Sequence, residues 1–256
     1  MATGSKEKLE DGIYGASMFR HFYLRGKNLG PSIRMTGDVA LVNLLIDDGG
    51  SLWTPGMRGK YEHSVKEAMR ELSRQAAQRG VSLNLKSYSL PVKPQPGQKS
   101  DRNPRLLKAL RAGSFTELHR FYCLNLRCDD AAILQVFNEK SRSSAVMSST
   151  RLGDEYCSIY YTSRGFEPRT IMHELCHLFG APDYYFPDFV KEAANRWLPG
   201  SLMCGGTRVD DLTAYLIGWT KSLTDPAYQF LKATRAMDED RFKAALDAEW
   251  KKAYPL

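Results

Sequence analysis

The stretch Val39-Ala40-Leu41-Val42-Asn43-Leu44-Leu45-Ile46 is apolar at every position but one and ends at Asp47-Asp48-Gly49-Gly50. A strand with one wetted face alternates apolar and polar residues. A run without alternation is apolar on both faces and needs cover on both. Val39–Ile46 is therefore expected as a buried central strand closed by a turn. A helix over about residues 58–79 follows, with Val65, Met69, Leu72 and Ala76 on one stripe and Gly80 placed to end it. Val81, Leu83 and Leu85 then alternate with Ser82, Asn84 and Lys86, as in a half-buried strand. Strand, helix, strand is the unit of a parallel sheet, so the expected class is α/β.

Pro91 to Pro104 is rich in proline and charge and reads as an exposed loop. Its basic residues, Lys93, Lys99, Arg102, Arg105, Lys108 and Arg111, read as a solvated face, because no aromatics interleave with them and no nucleic-acid motif accompanies them. Ser114 and Glu117 form a capping box that opens a short helix through Tyr122. Ala132–Phe137 and Tyr156–Thr162 read as strands, and Ser144–Ser149 as a short edge strand. After Glu167 only helix and loop are expected. Asp225-Pro226 and Asp238 open two C-terminal helices, the last packing through Phe242, Leu246 and Trp250. The expected organisation is an N-terminal arm over residues 1–36, one catalytic domain over 37–222, and a helical extension of that domain over 223–256.

Composition narrows the partners. Thirty-six Lys and Arg against 29 Asp and Glu give a net charge of +7, which favours an acidic surface but carries no nucleic-acid signature. With 43% hydrophobic and 25% charged residues, collagen, coiled coil and wholesale disorder are excluded. No apolar run nears the roughly 18 residues of a membrane helix, so no span is expected. The first residues lack the apolar core of a signal peptide. A cytoplasmic protein is expected, with a non-classical export route or a trimmed leader as alternatives. Five cysteines without a CxxC pair suit free thiols.

The chemistry concentrates in Thr170-Ile171-Met172-His173-Glu174-Leu175-Cys176-His177-Leu178-Phe179-Gly180-Ala181-Pro182-Asp183. Four residues apart on a helix, His173 and His177 present both imidazoles on one face, where they can share a metal. Pro168 suits the first helical turn, and Ile171, Leu175, Leu178 and Phe179 give an apolar back. Glu174 stands beside the metal face, where its carboxylate can take a proton from metal-activated water. Gly180 can end the helix in a left-handed conformation and return Asp183 as a third ligand. Zinc accepts such a donor set, with nitrogen at ~2.0–2.1 Å and carboxylate oxygen at ~2.0–2.2 Å. The remaining histidines, His21, His63 and His119, are scattered through the first half and read as surface or core residues.

At these positions the chain resembles the metzincin clan of zinc peptidases, whose motif is HExxHxxGxx followed by His or Asp. His173, Glu174, His177, Gly180 and Asp183 fit the Asp form found in snapalysin-type enzymes. Ser201-Leu202-Met203-Cys204-Gly205-Gly206 is similar to the clan's methionine turn. Ala181–Tyr185 and Asp211–Trp219 resemble segments of immune-inhibitor-A-like peptidases. The strong motifs cover residues 170–219, and the order of elements agrees over roughly 38–220. The resemblance implies a twisted mixed sheet with flanking helices, an active-site helix, a turn at Met203 below the metal, and C-terminal helices. It also implies that the edge strand pairs with extended substrate.

Some members carry a tyrosine two places after the turn methionine; here Gly205 stands there. Tyr184, Tyr185 and Tyr215 are then candidates for the oxyanion donor as well as for packing. Cys176 and Cys204 read as small buried residues, with redox or inhibitory roles open. A gluzincin arrangement would recruit Glu192 instead of Asp183 and leave Gly180 unexplained.

The function implied is zinc-dependent hydrolysis of peptide bonds in a protein or peptide, with one catalytic zinc on His173, His177 and Asp183. Glu174 would act as general base and then pass its proton to the leaving amine. The rivals are an exported effector or toxin with the same chemistry, and a catalytically inactive zinc-binding interaction domain.

Overall fold

The computed structural model describes residues 31–49, 52–146, 155–185 and 188–235. Its elements are β1 (Gly37–Ile46), α1 (Pro55–Ala77), β2 (Leu83–Val92), α2 (Arg102–Ala109), α3 (Phe115–Leu126), β3 (Asp130–Lys140), β4 (Ser144–Val146), β5 (Tyr156–Tyr161), α4 (Pro168–Leu178), α5 (Asp188–Trp197), α6 (Asp211–Leu216) and α7 (Asp225–Arg235). The strands form one sheet in the order β2-β1-β3-β5-β4. β1 pairs in parallel with β2 and β3, β3 in parallel with β5, and β4 runs antiparallel to β5 at the edge.

The unalternating run in β1 is covered on both faces, as its sequence requires. Val39, Leu41 and Leu45 pack with Val65, Ala68, Leu72 and Ala76 of α1 and with Ile171, Leu175 and Leu178 of α4. Ala40, Val42, Leu44 and Ile46 pack with Leu106 of α2 and with Phe115 and Leu118 of α3. The result is an α/β fold with helices above and below a mixed sheet. The one polar residue in the run, Asn43, is fully buried and accepts from Tyr61 Oη at 2.6 Å. Its amide donates to Leu41 O, Ser87 Oγ and Tyr88 O, so its burial leaves no group unpaired.

Local signals set the ends. Thr54 Oγ1 caps α1 by accepting from Met57 N, and Gly80 (φ 72°) completes the turn after it. Ser114 Oγ caps α3 by accepting from Glu117 N at 3.1 Å. α3 runs on past Tyr122 to Leu126. The expected loop from Pro91 to Pro104 is corrected in two places: β2 continues through Val92 and α2 begins at Arg102. Nor is Arg102 solvated. It bridges Asp48 at 2.8 Å and Glu139 at 3.0 Å and lies 4.3 Å from the Phe137 ring centroid. The carboxylates that bury it come from the end of β1 and from β3, so its own neighbours in sequence do not announce them.

Before β1 the chain is tied down. Ile33 N and Arg34 N donate to Asp130 Oδ2, Met35 N donates to Ile217 O, and Trp219 Nε1 donates to Met35 O at 2.7 Å. The rest of the expected arm, residues 147–149 of the expected edge strand, and the helix from Asp238 with Phe242, Leu246 and Trp250 lie outside the described residues, as does His21. Among the described residues no helix is long and apolar enough to cross a membrane.

Candidate metal centre

α4 starts with Pro168 in its first turn, where a missing N–H costs nothing. With Ile171, Leu175 and Leu178 turned into the core, His173 and His177 stand together on another face. Their Nε2 atoms are 3.0 Å apart and their rings nearly perpendicular, at 86°.

The helix ends as Gly180 requires. Its φ is 101°, Gly180 N donates to His177 O, and Ala181 N reaches back to Cys176 O at 3.0 Å. This is the left-handed reversal that a Cβ would strain. It carries the chain back over the helix end. The Ala181 carbonyl meets His177 Nδ1 at 2.6 Å, and Asp183 Oδ1 arrives 3.0 Å from His173 Nε2 and 3.2 Å from His177 Nε2. His173 Nδ1 lies 3.1 Å from the Leu202 carbonyl.

Carbonyl oxygens only accept. Each Nδ1 therefore carries a proton, and in a neutral ring each Nε2 is bare. As long as both rings are neutral, three acceptors face one another with no hydrogen among them, and Asp183 Oδ1 is buried without a donor. The triangle is stable only with positive charge at its centre. Protons on the imidazoles meet the need in part. Burial alone would raise the Asp183 carboxyl, but hydrogen bonds and charge from His173 and His177 outweigh it and hold it far below the usual carboxylate range. A metal ion meets the need in full. Tetrahedral ligands at ~2.0–2.2 Å stand roughly 3.3–3.5 Å apart, a few tenths of an ångström beyond the separations here. His173, His177 and Asp183 thus form a group that can hold a metal ion.

Glu174 adjoins this group. It is 5% exposed, its Oε2 has no hydrogen-bond partner, and burial pushes its carboxyl up to about 7. A buried carboxylate oxygen left without a partner, with a raised proton affinity, marks a candidate for proton exchange.

Of the three candidate tyrosines, Tyr185 borders the histidines. Its ring lies along His173 with centroids 6.4 Å apart and planes at 23°. Its hydroxyl accepts from Arg142 Nη2 at 2.8 Å and hydrogen-bonds Asp183, and burial followed by the Asp183 charge pushes its ionisation up. Tyr184 is buried against Phe230 with its hydroxyl on Thr213 Oγ1, and Tyr215 is buried in the core. Arg142 had no signal in the sequence, because its partner lies 43 residues away.

Met203 lies in the 3-10 turn Leu202–Cys204, fully buried in the core that backs α4. The turn supports the group through its backbone: the Leu202 carbonyl takes His173 Nδ1 and the Met203 carbonyl takes Tyr184 N at 2.8 Å. Ser201 Oγ accepts from Met203 N and donates to Asp210 Oδ2 at 2.6 Å. Asp210 also caps α6, accepting from Leu212 N and Thr213 N at 3.0 Å each. Cys176 is buried, and Cys204 is half-buried with its thiol towards the Tyr184 carbonyl. Glu192 is exposed on α5 and outside the group.

Among the other histidines, His63 is exposed and His119 is buried. His119 lies with Cys123 and Asp130 in a second group close enough to hold a metal ion. No protein-family model and no curated protein sequence matches the chain.

Proposed function

We propose that the chain is a zinc-dependent metalloendopeptidase acting on a protein or peptide. The observation that carries this reading is the triangle of acceptors at His173, His177 and Asp183, with the unpartnered Glu174 Oε2 beside it. Two imidazoles and one carboxylate are a catalytic zinc donor set. Zinc, when bound, supplies Lewis acidity towards water and towards the scissile carbonyl.

The chain's own residues supply the rest. The Leu202 and Ala181 carbonyls hold the imidazoles in the tautomer that turns Nε2 to the metal. Glu174 Oε2 takes a proton from the attacking water and delivers it to the leaving nitrogen, with burial keeping its affinity for that proton near neutrality. The Tyr185 hydroxyl, with Arg142 behind it, would turn its proton from Asp183 to charge developing on the carbonyl oxygen. β4 ends the sheet beside α4 and offers an edge on which an extended substrate adds as a further strand.

Zinc-loaded wild type and Glu174→Gln, incubated with a peptide library and read by mass spectrometry, test this. We expect wild type to cleave, and the variant to keep its zinc but cleave about 10²–10⁴ times more slowly. Zinc-loaded wild type that cuts nothing would leave a non-catalytic zinc-binding domain. Unimpaired cleavage by Glu174→Gln would remove the assigned base.

A further inference from the structure

We infer that the C-terminal end of α3 carries a second, thiolate-containing metal site formed by His119, Cys123 and Cys128. Asp130 holds the histidine ring. The site lies on the face of the sheet opposite α4 and is independent of the peptidase reading.

The placement follows from local structure. His119 and Cys123 are four apart on α3 and share a face. The helix then ends at Arg127 in a left-handed conformation (φ 52°, ψ 50°), with Cys128 N bonded back to Cys123 O at 3.2 Å. This reversal brings the side chains of the two residues it joins into contact. Here both are cysteines, and the Cys128 thiol, after burial, is among the neighbours that push the Cys123 ionisation up. Both are half-buried and neither is in a disulfide.

Two residues on, Asp130 opens β3. Its Oδ1 lies 2.7 Å from His119 Nε2 and accepts from Ala131 N. Its Oδ2 accepts from Ile33 N and Arg34 N. The carboxylate is therefore locked by backbone donors, fixes the proton on His119 Nε2, and leaves Nδ1 bare. A carboxylate on one imidazole nitrogen with the other free is the arrangement in which histidine binds metals.

Cys123 Sγ lies 3.9 Å from Nδ1 and 3.8 Å from Nε2, too far for a firm hydrogen bond. His119 and Cys123 already lie with Asp130 close enough to hold an ion. Tetrahedral nitrogen and sulfur ligands stand roughly 3.5–3.6 Å apart, so a swing of the half-buried Cys123 thiol towards Nδ1 brings it to ligand distance, and the adjoining Cys128 is the second thiolate of the proposal. Two thiolates and one imidazole select zinc or a similar soft first-row ion. Binding releases the two thiol protons and leaves one position for water. A metal here ties the end of α3 to the start of β3.

Cobalt(II), added to the reduced full-length chain, tests the site because thiolate ligation gives a near-ultraviolet charge-transfer band that a histidine–aspartate site lacks. We expect the band in wild type and in His177→Ala, and its loss in Cys123→Ser/Cys128→Ser. Thermal melts in chelator verify that the double variant folds as wild type does. Zinc content should be about two per chain in wild type and about one in each variant. If only the α4 group fails to hold zinc, wild type and His177→Ala each hold one zinc and the double variant none. No charge-transfer band in the reduced protein, or one that survives both serine substitutions, overturns the thiolate site.

Discussion

His173 Nε2 and His177 Nε2 stand 3.0 Å apart, each with its other ring nitrogen committed to a carbonyl and both facing Asp183 Oδ1. The metal-free fold therefore contains an electrostatic conflict that a cation relieves. Zinc at a hundred times its Kd should stabilise the fold by about 2.7 kcal/mol. In a chain of this size that corresponds to a rise in Tm of roughly 5–10 °C. Calorimetry in the Cys123→Ser/Cys128→Ser background isolates the effect of the histidine site. No shift there would contradict the account.

Gly180 places the third ligand. At φ 101° a side chain costs about 1–3 kcal/mol, and relaxing that strain moves Asp183. In Gly180→Ala we expect zinc affinity to fall at least about tenfold (about 1.4 kcal/mol) with helix content unchanged by circular dichroism. Equal affinity by titration calorimetry would mean that the reversal does not position Asp183.

Met203 is packing under the histidines, and its carbonyl and that of Leu202 are what the site uses. Met203→Leu keeps the volume and should cost under about 1.5 kcal/mol with zinc retained. Met203→Ala opens a cavity and should cost about 2–5 kcal/mol. Urea unfolding with parallel metal analysis measures both. A folded Met203→Leu protein without zinc would show that the thioether itself is required.

Asp210 joins the Met203 turn to α6. Removing its carboxylate takes away a helix cap, worth about 1 kcal/mol, and leaves the buried Ser201 hydroxyl without its acceptor, at about 1–3 kcal/mol, while Thr213 keeps the Tyr184 hydroxyl. We expect Asp210→Ala to lose about 2–5 kcal/mol in urea unfolding. A loss under about 1 kcal/mol would mean that the turn stands without it.

Tyr185→Phe separates catalysis from packing. It keeps the ring against His173 and removes only the hydroxyl. If that hydroxyl stabilises the developing charge, kcat falls by about 10²-fold while KM and zinc affinity change little. A change confined to KM would make Tyr185 a wall of the substrate site.

The residues of the α4 group were legible because local rules write them. The helical period aligns His173 with His177, and Gly180 marks the reversal that returns Asp183. β1 was legible because a run without alternation has only one kind of home. The misses are non-local. α2 hid behind Pro104 and its charges, because Arg102 is drawn inward by Asp48 and Glu139, 54 and 37 residues away. Arg142 and Tyr185 meet across 43 residues. The pairing of Cys123 with Cys128 depends on Arg127 adopting a left-handed backbone, a conformation its residue type does not signal.

The central claim is that peptide cleavage depends on zinc at His173, His177 and Asp183. Its most direct test is the rate of peptide cleavage measured against zinc bound per chain, in the Cys123→Ser/Cys128→Ser background. The account predicts no cleavage without zinc and a rate that rises in proportion to occupancy and saturates at one ion per chain. Cleavage by the zinc-free protein, or none at full occupancy, would contradict it.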